Sequence, residues 1–222
     1  MNVHGFVRDL ASVSLPNVFN PYRDICPSFD RKDAPAVRRR NLRAMIESLL
    51  RVGVETVWMG RDLGYRGGRR TGLALTDERH LRVLDQVYPG VKVERSTLGP
   101  EVSERTAAEI WGALALIQHP PFLWNVFPFH PHEPGDPLTN RKFSAGELAR
   151  VDELNGVLFA GLGISQVISI GQDASKYGQR FGLNVKCVRH PSYGGTAEFR
   201  HGISDIYKIK WSGISNEQKA LF

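Results

Sequence analysis

Four short apolar runs without polar alternation constrain this chain more than any other feature. They lie at 54–59, 122–127, 166–170 and 185–188. A strand with one wet face alternates apolar and polar residues, whereas a strand apolar throughout is covered on both faces. The stretches between the runs carry helical signals. Asp33 reads as an N-cap, with Pro35 in the first turn. Ala36, Leu42, Met45, Ile46, Leu49 and Leu50 then recur at helical spacing until Gly53 stops the helix. Helical periodicity returns over 77–87, from a cap at Ser103 to about 117, after the S-x-x-E capping box of Ser144 and Glu147, over 173–181, and from 196 into a basic tail. Residues 1–32 read as irregular, and 91–94 as a candidate short strand. Helices alternating with short apolar strands that lack polar alternation predict an α/β fold. The expected form is a three-layer α/β/α sandwich around a central four-stranded parallel sheet. With 222 residues, one domain spanning 1–222 is expected.

Ligands of such folds sit beyond the carboxyl ends of the strands. Three loops leave strand ends with unusual polar chemistry, at 60–73, 125–141 and 189–196. The fold should gather them on one edge.

Cysteine usage and charge narrow the chemistry. Cys26 and Cys187 are the only two cysteines, too few for a four-thiolate zinc or iron–sulfur site. A disulfide framework is not expected, which fits a reducing cytoplasm. No signal-peptide core and no run of about 18 apolar residues occurs, so a soluble cytoplasmic protein away from membranes is expected. The net charge of +6 favours a polyanionic partner.

The first loop, GRDLGYRGGRRTGL, holds Asp62 among five glycines, which allow close backbone approach to a ligand. It is not a nucleotide-phosphate loop: GxxxxGK[ST] is absent, and so is the GxGxxG of dinucleotide-binding oxidoreductases. Arg66, Arg69 and Arg70 either contact phosphates or are solvated. The arginines of the 33–53 helix, Arg38, Arg39, Arg40 and Arg43, read as a solvated face. In the second loop, Asn125 at a strand end either presents its carboxamide to a base edge or ties down its own loop. In the third, His190 can stabilise developing negative charge opposite an acid. His119, His130 and His132 compete with it.

Together these segments resemble the uracil-DNA glycosylase superfamily, from about Val54 to Gly195. GRDLGY resembles the GQDPYH water-activating motif, and VRHPSYGG resembles HPSPLS. WNVFPFHP, followed by Asn140 and Arg141, is similar to TNVVKxxPP…GNR. The resemblance implies a monofunctional, base-flipping DNA glycosylase of base excision repair that needs no metal and no cofactor. It would bind uracil-containing DNA, release uracil and leave an abasic site, acting as a monomer. It implies that Asp62 activates or orients the attacking water and stabilises the cationic sugar, and that His190 stabilises the leaving base. Asn125 would read the flipped base, with Arg61, Leu63, Gly64, Tyr65 and Leu75 around it. Ser192 would contact phosphate beside Arg66, Arg69 and Arg70; Gly194 stands where the family's wedge leucine falls, and Tyr193 would fill the gap left by the base instead. Leu75 stands where family-one enzymes stack an aromatic residue. Gly64 stands where they block the thymine methyl, with Tyr65 adjacent as a substitute. Looser walls imply tolerance of other damaged bases. The four cysteines of cluster-bearing relatives are missing, so the likeness is to cluster-free members such as the rhizobial type. Two other readings use the same features: a uracil-DNA binding module without turnover, and a nucleoside or nucleotide deoxyribosyl hydrolase.

Overall fold

The computed structural model describes residues 1–211; the expected basic tail beyond 211 lies outside the described residues. In chain order the elements are α1 (Val3–Ser12), β1 (Val18–Phe19), α2 (Ala34–Val52), β2 (Thr56–Asp62), α3 (Gly68–Thr71), α4 (Leu84–Val87) and α5 (Arg105–Leu114). There follow β3 (Phe122–Phe127), β4 (His130–Pro131), α6 (Ala145–Ala149), α7 (Asp152–Leu162), β5 (Gln166–Ile170), α8 (Gln172–Gly178), β6 (Asn184–Val188) and α9 (Thr196–Tyr207). The four apolar runs form one parallel sheet in the order β3-β2-β5-β6, with helices on both faces.

Neighbouring strand residues point to opposite faces, and two tryptophans mark the layers. Trp58 faces α9, where its Nε1 donates to the Tyr207 hydroxyl at 2.8 Å and Phe199 meets its ring edge-on. Trp124 faces α1 and α7, where its Nε1 donates to Asn155 Oδ1 at 2.9 Å and Phe6 packs against it. β3 is buried along its whole length. From β2 the chain crosses to β3 on one side, then returns to place β5 on the other. The order reverses at β2, so a crevice opens beyond the carboxyl ends of β2 and β5.

Several local expectations need correction. Residues 1–32 are not irregular throughout. Asn2 caps α1 through a 3.0 Å bond from the Gly5 amide, and β1 pairs with β4. The 77–87 helix is split into a 3₁₀ turn over Arg79–Arg82 and α4. Residues 91–94 form no strand. The cap of α5 is Glu104 rather than Ser103, without a side-chain bond, and that helix ends at Leu114. The Ser144–Glu147 capping box is present as expected.

Arg38 does not lie on a solvated face. Its side chain and that of Asp30 are both fully buried and ion-paired, with Nη1 donating to Oδ2 at 3.0 Å. Its Nε donates to the Arg70 carbonyl at 2.9 Å, so this cation braces the 60–73 loop. Removing one partner of a buried pair strands the other charge, which costs about 3–5 kcal/mol. Asp30→Ala is therefore expected to lower stability by about that amount, as measured by urea unfolding.

Candidate active site

The crevice is a cavity of about 590 Å³. All four parallel strands deliver residues to it: Asp62 ends β2, Asn125 lies on β3, Gly171 follows β5, and Arg189 and His190 follow β6. Arg61, Leu63, Gly64, Leu75, Ser192 and Tyr193 also line it. The three loops singled out in the sequence thus meet around one space.

Asp62 is the most enclosed acid of the cavity wall, its side chain only 10 % exposed. Arg61 Nε donates to its Oδ2 at 2.5 Å. Arg61 Nη1 also reaches Asp173 Oδ2 at 3.2 Å, and Lys142 Nζ lies 3.1 Å from that same oxygen. Burial raises the Asp62 pKa, Arg61 opposes it, and Asp173 adds to the rise. The net direction is upward, so desolvation outweighs the ion pair. Arg61, expected near a base, is engaged with two carboxylates.

Asn125 is buried, and its Oδ1 has no hydrogen-bond partner. An orphaned buried carbonyl costs about 1–3 kcal/mol, so it marks a place for a ligand donor. Gly60 is required beside it, since a Cβ there would collide with Oδ1. Leu75 closes the same corner at a positive φ of 54°, with its Cδ2 3.1 Å from that Cβ position.

His190 is held from one side. Nδ1 lies 3.2 Å from the Ser192 backbone N–H and 2.7 Å from the Ser192 hydroxyl. A backbone N–H can only donate, so Nδ1 accepts and the proton resides on Nε2. Burial, then Arg189 and Arg61, lower its pKa to about 4. The imidazole is therefore neutral at pH 7, with an N–H left to give. Ser192, expected at a phosphate, is turned to His190 instead.

The rival histidines sort out by environment. His130 gives Nε2–H to the Thr139 carbonyl at 2.7 Å, and its Nδ1 lies 2.8 Å from Arg69 Nη1. Burial leads the forces that lower its pKa to about 3, so it ties loops together. His119 is exposed, and neither it nor His132 lines the cavity.

Two of the three loop arginines are corrected. Arg69 is buried, stacks on Phe19 and donates to the Pro137 carbonyl at 2.6 Å. Arg70 is buried over Phe29 and pairs with Glu78 at 3.1 Å. Neither reaches the surface to meet a phosphate. Arg66 is exposed, as expected. Tyr65 receives the Arg66 guanidinium at its hydroxyl and does not line the cavity, so it does not replace the missing wall at Gly64. Tyr193 is 98 % exposed at φ 51°, ahead of Gly194 at φ 78°.

Sequence reasoning missed Glu104, Asp173 and Arg189, and Asn140 entered it only as part of a motif. The signal for Asp173 was available: β5 was located correctly, yet its carboxyl-end loop was left out of the three. Arg189 sat inside a chosen loop. Glu104 looked like an ordinary acid in a helical first turn.

These features define an α/β/α protein whose polar site opens at the strand-order reversal. No known family model and no curated protein sequence matches the chain. Among solved structures, the wild-type Pedobacter heparinus SMUG2 crystal structure is similar at a TM-score of 0.63. The match covers 93% of this chain and 95% of that one, at 14% sequence identity. At that identity the likeness shows a shared fold.

Proposed function

We propose that this chain is a DNA glycosylase that hydrolyses the N-glycosidic bond of uracil in DNA and leaves an abasic site. The observation that carries the reading is that Asp62, Asn125 and His190 open onto one cavity. Its support is the motif resemblance to the uracil-DNA glycosylase superfamily, together with the α/β/α fold shared with the SMUG2 structure.

The chemistry follows from the charges. Breaking the bond leaves a cationic sugar and an anionic base. Ionised Asp62 stabilises the sugar and orients water, and the His190 Nε2–H donates to the base as negative charge builds there. Both groups are fixed in place beforehand, which is where electrostatic catalysis draws its strength. Asn125 Oδ1 accepts from a ring N–H of the base. The target cannot be reached inside a duplex, so the base is extruded. Tyr193 stands ready to fill the gap, and Arg189 at the cavity together with exposed Arg66 holds phosphates.

The direct test is release of alkali-labile sites from a uracil oligonucleotide, with free deoxyuridine as a parallel substrate. Multiple turnover on the oligonucleotide alone supports the reading. Release that stops at one equivalent points to a binding module, and activity on deoxyuridine alone points to a nucleoside hydrolase.

Stacking of an aromatic residue on a base is worth about 1–3 kcal/mol. Tyr193→Ala is expected to raise KM for duplex uracil DNA by a corresponding factor, while a single-stranded substrate, which has no stack to fill, changes little. Steady-state kinetics on both substrates checks this.

A further inference from the structure

Glu104 stands in the cavity wall opposite the strand ends, at the start of α5. Its backbone N–H donates to Asp77 Oδ2 at 2.6 Å. Asp77 is fully buried, and its other oxygen holds the His80 amide at 3.1 Å. That anchor fixes where residue 104 enters the cavity. The side chain fills space that two glycines leave open. A Cβ on Gly67 would collide with Oε2, and a Cβ on Gly64 would lie 3.3 Å from Oε1. The carboxyl does not cap its own helix. Among the described residues, neither of its oxygens has a hydrogen-bond or ion-pair partner. The same cavity holds a second unmet group, the buried Asn125 Oδ1. Two residues that line one cavity thus carry polar groups without protein partners, which calls for a ligand that satisfies both.

We propose that Glu104 is a second base-reading residue, its carboxyl group contacting a carbonyl oxygen of the base while Asn125 takes a ring N–H. This rests on the glycosylase reading and names the base class it selects: keto bases, in which an N–H adjoins a carbonyl. Contact with a carbonyl needs an O–H on Glu104. Burial raises its pKa, the Asp77 charge raises it further, and Arg66 pulls the other way. The net direction is upward, toward the donor form. An ionised carboxylate would instead accept from an exocyclic amine, so the protonated group favours keto over amino bases.

Thio substitution tests the contact, because sulfur is a poor acceptor. Single-turnover rates are measured on oligonucleotides carrying uracil, 2-thiouracil and 4-thiouracil. The proteins are the wild type, Glu104→Ala, Glu104→Gln, and Glu104→Leu, which keeps bulk against Gly64 and Gly67. The wild type is expected to lose about tenfold at one of the two thio positions, the cost of one hydrogen bond. Glu104→Ala and Glu104→Leu lose that discrimination and cleave uracil more slowly, while Glu104→Gln, which still carries a donor, retains it. A packing role alone would slow all three substrates together. If the wild type is active but Glu104→Ala and Glu104→Leu keep the wild-type pattern at both thio positions, the assignment of Glu104 falls and the glycosylase reading stands. If the wild type releases no base, both fall.

Discussion

Asp62→Asn is expected to slow uracil release by about 10²–10³-fold, which corresponds to losing one preorganised charged or polar group worth about 2.7–4 kcal/mol in the transition state. The same variant is expected to be more stable than the wild type at neutral pH. The two effects share one cause. The folded-state pKa of Asp62 is raised, chiefly by burial, and Arg61 offsets only part of that rise. The folded protein therefore binds this proton more tightly than the unfolded chain does. Stability from this group is fully present at acid pH and declines as pH rises through the folded-state pKa. An Asn has no charge to bury, so its advantage is largest at neutral pH and closes toward acid. Activity has the opposite dependence, because the anion does the work. The wild-type rate should climb as Asp62 ionises, with a midpoint above the ordinary Asp range, and Asp62→Asn should lose that limb. Single-turnover rates and thermal melts between pH 4 and 8 check both halves. Wild-type activity in Asp62→Asn would move the catalytic role to another acid of the wall.

Arg61→Ala sharpens the same point. Without its guanidinium the forces that raise the Asp62 pKa act unopposed, apart from the more distant Lys142. The rising limb should move further upward in pH. A group that only shaped the pocket would leave the midpoint in place.

β2, β3 and β5 were legible because burial on both faces leaves a mainly apolar run without alternation, whereas β6 is largely exposed and does not share that burial. β3 and β5 fall where their apolar runs predict, and β2 starts two residues later than its run. That run ended at Met59 because Gly60, Arg61 and Asp62 are not apolar, yet the ladder continues: Gly60 pairs with Asn125 and Asp62 with Phe127. Asp62 thus sits on a strand end rather than on a free loop, which fixes it more firmly than the sequence suggested.

Arginine environments were not legible. Arg38, Arg69 and Arg70 looked like surface charge, but the first pairs with Asp30, the second stacks on Phe19 and the third lies over Phe29. These partners come from the first thirty residues, which were read as irregular although Val3, Phe6, Val7 and Leu10 recur at helical spacing. The same blind spot hid α1. Glu104 escaped for a different reason: nothing local says that an acid at a helix start lines a cavity whose other walls come from the 60–75 segment and from strand ends later in the chain.

His190→Ala is expected to cost about 10²–10³-fold in uracil release, comparable to the loss at Asp62 but with a different pH signature. The Ser192 backbone N–H occupies Nδ1, which fixes the proton on Nε2, and the pKa of about 4 keeps the ring neutral. Burial is the main cause, and the nearby Arg189 and Arg61 cations also disfavour a second positive charge. A cationic catalyst would fail as pH rises past the ordinary His range. A neutral donor keeps its N–H throughout, so the wild-type rate should show no fall between pH 5 and 8 that His190→Ala abolishes. His190→Gln, whose amide can offer an N–H, should recover part of the loss. Nitrogen-15 NMR of the imidazole gives an independent reading, with an Nε2–H tautomer and no titration above about pH 5 expected. A titration near 6.5 would mean that the ring can be charged in the working enzyme, and the leaving base would then meet a cation instead of a dipole.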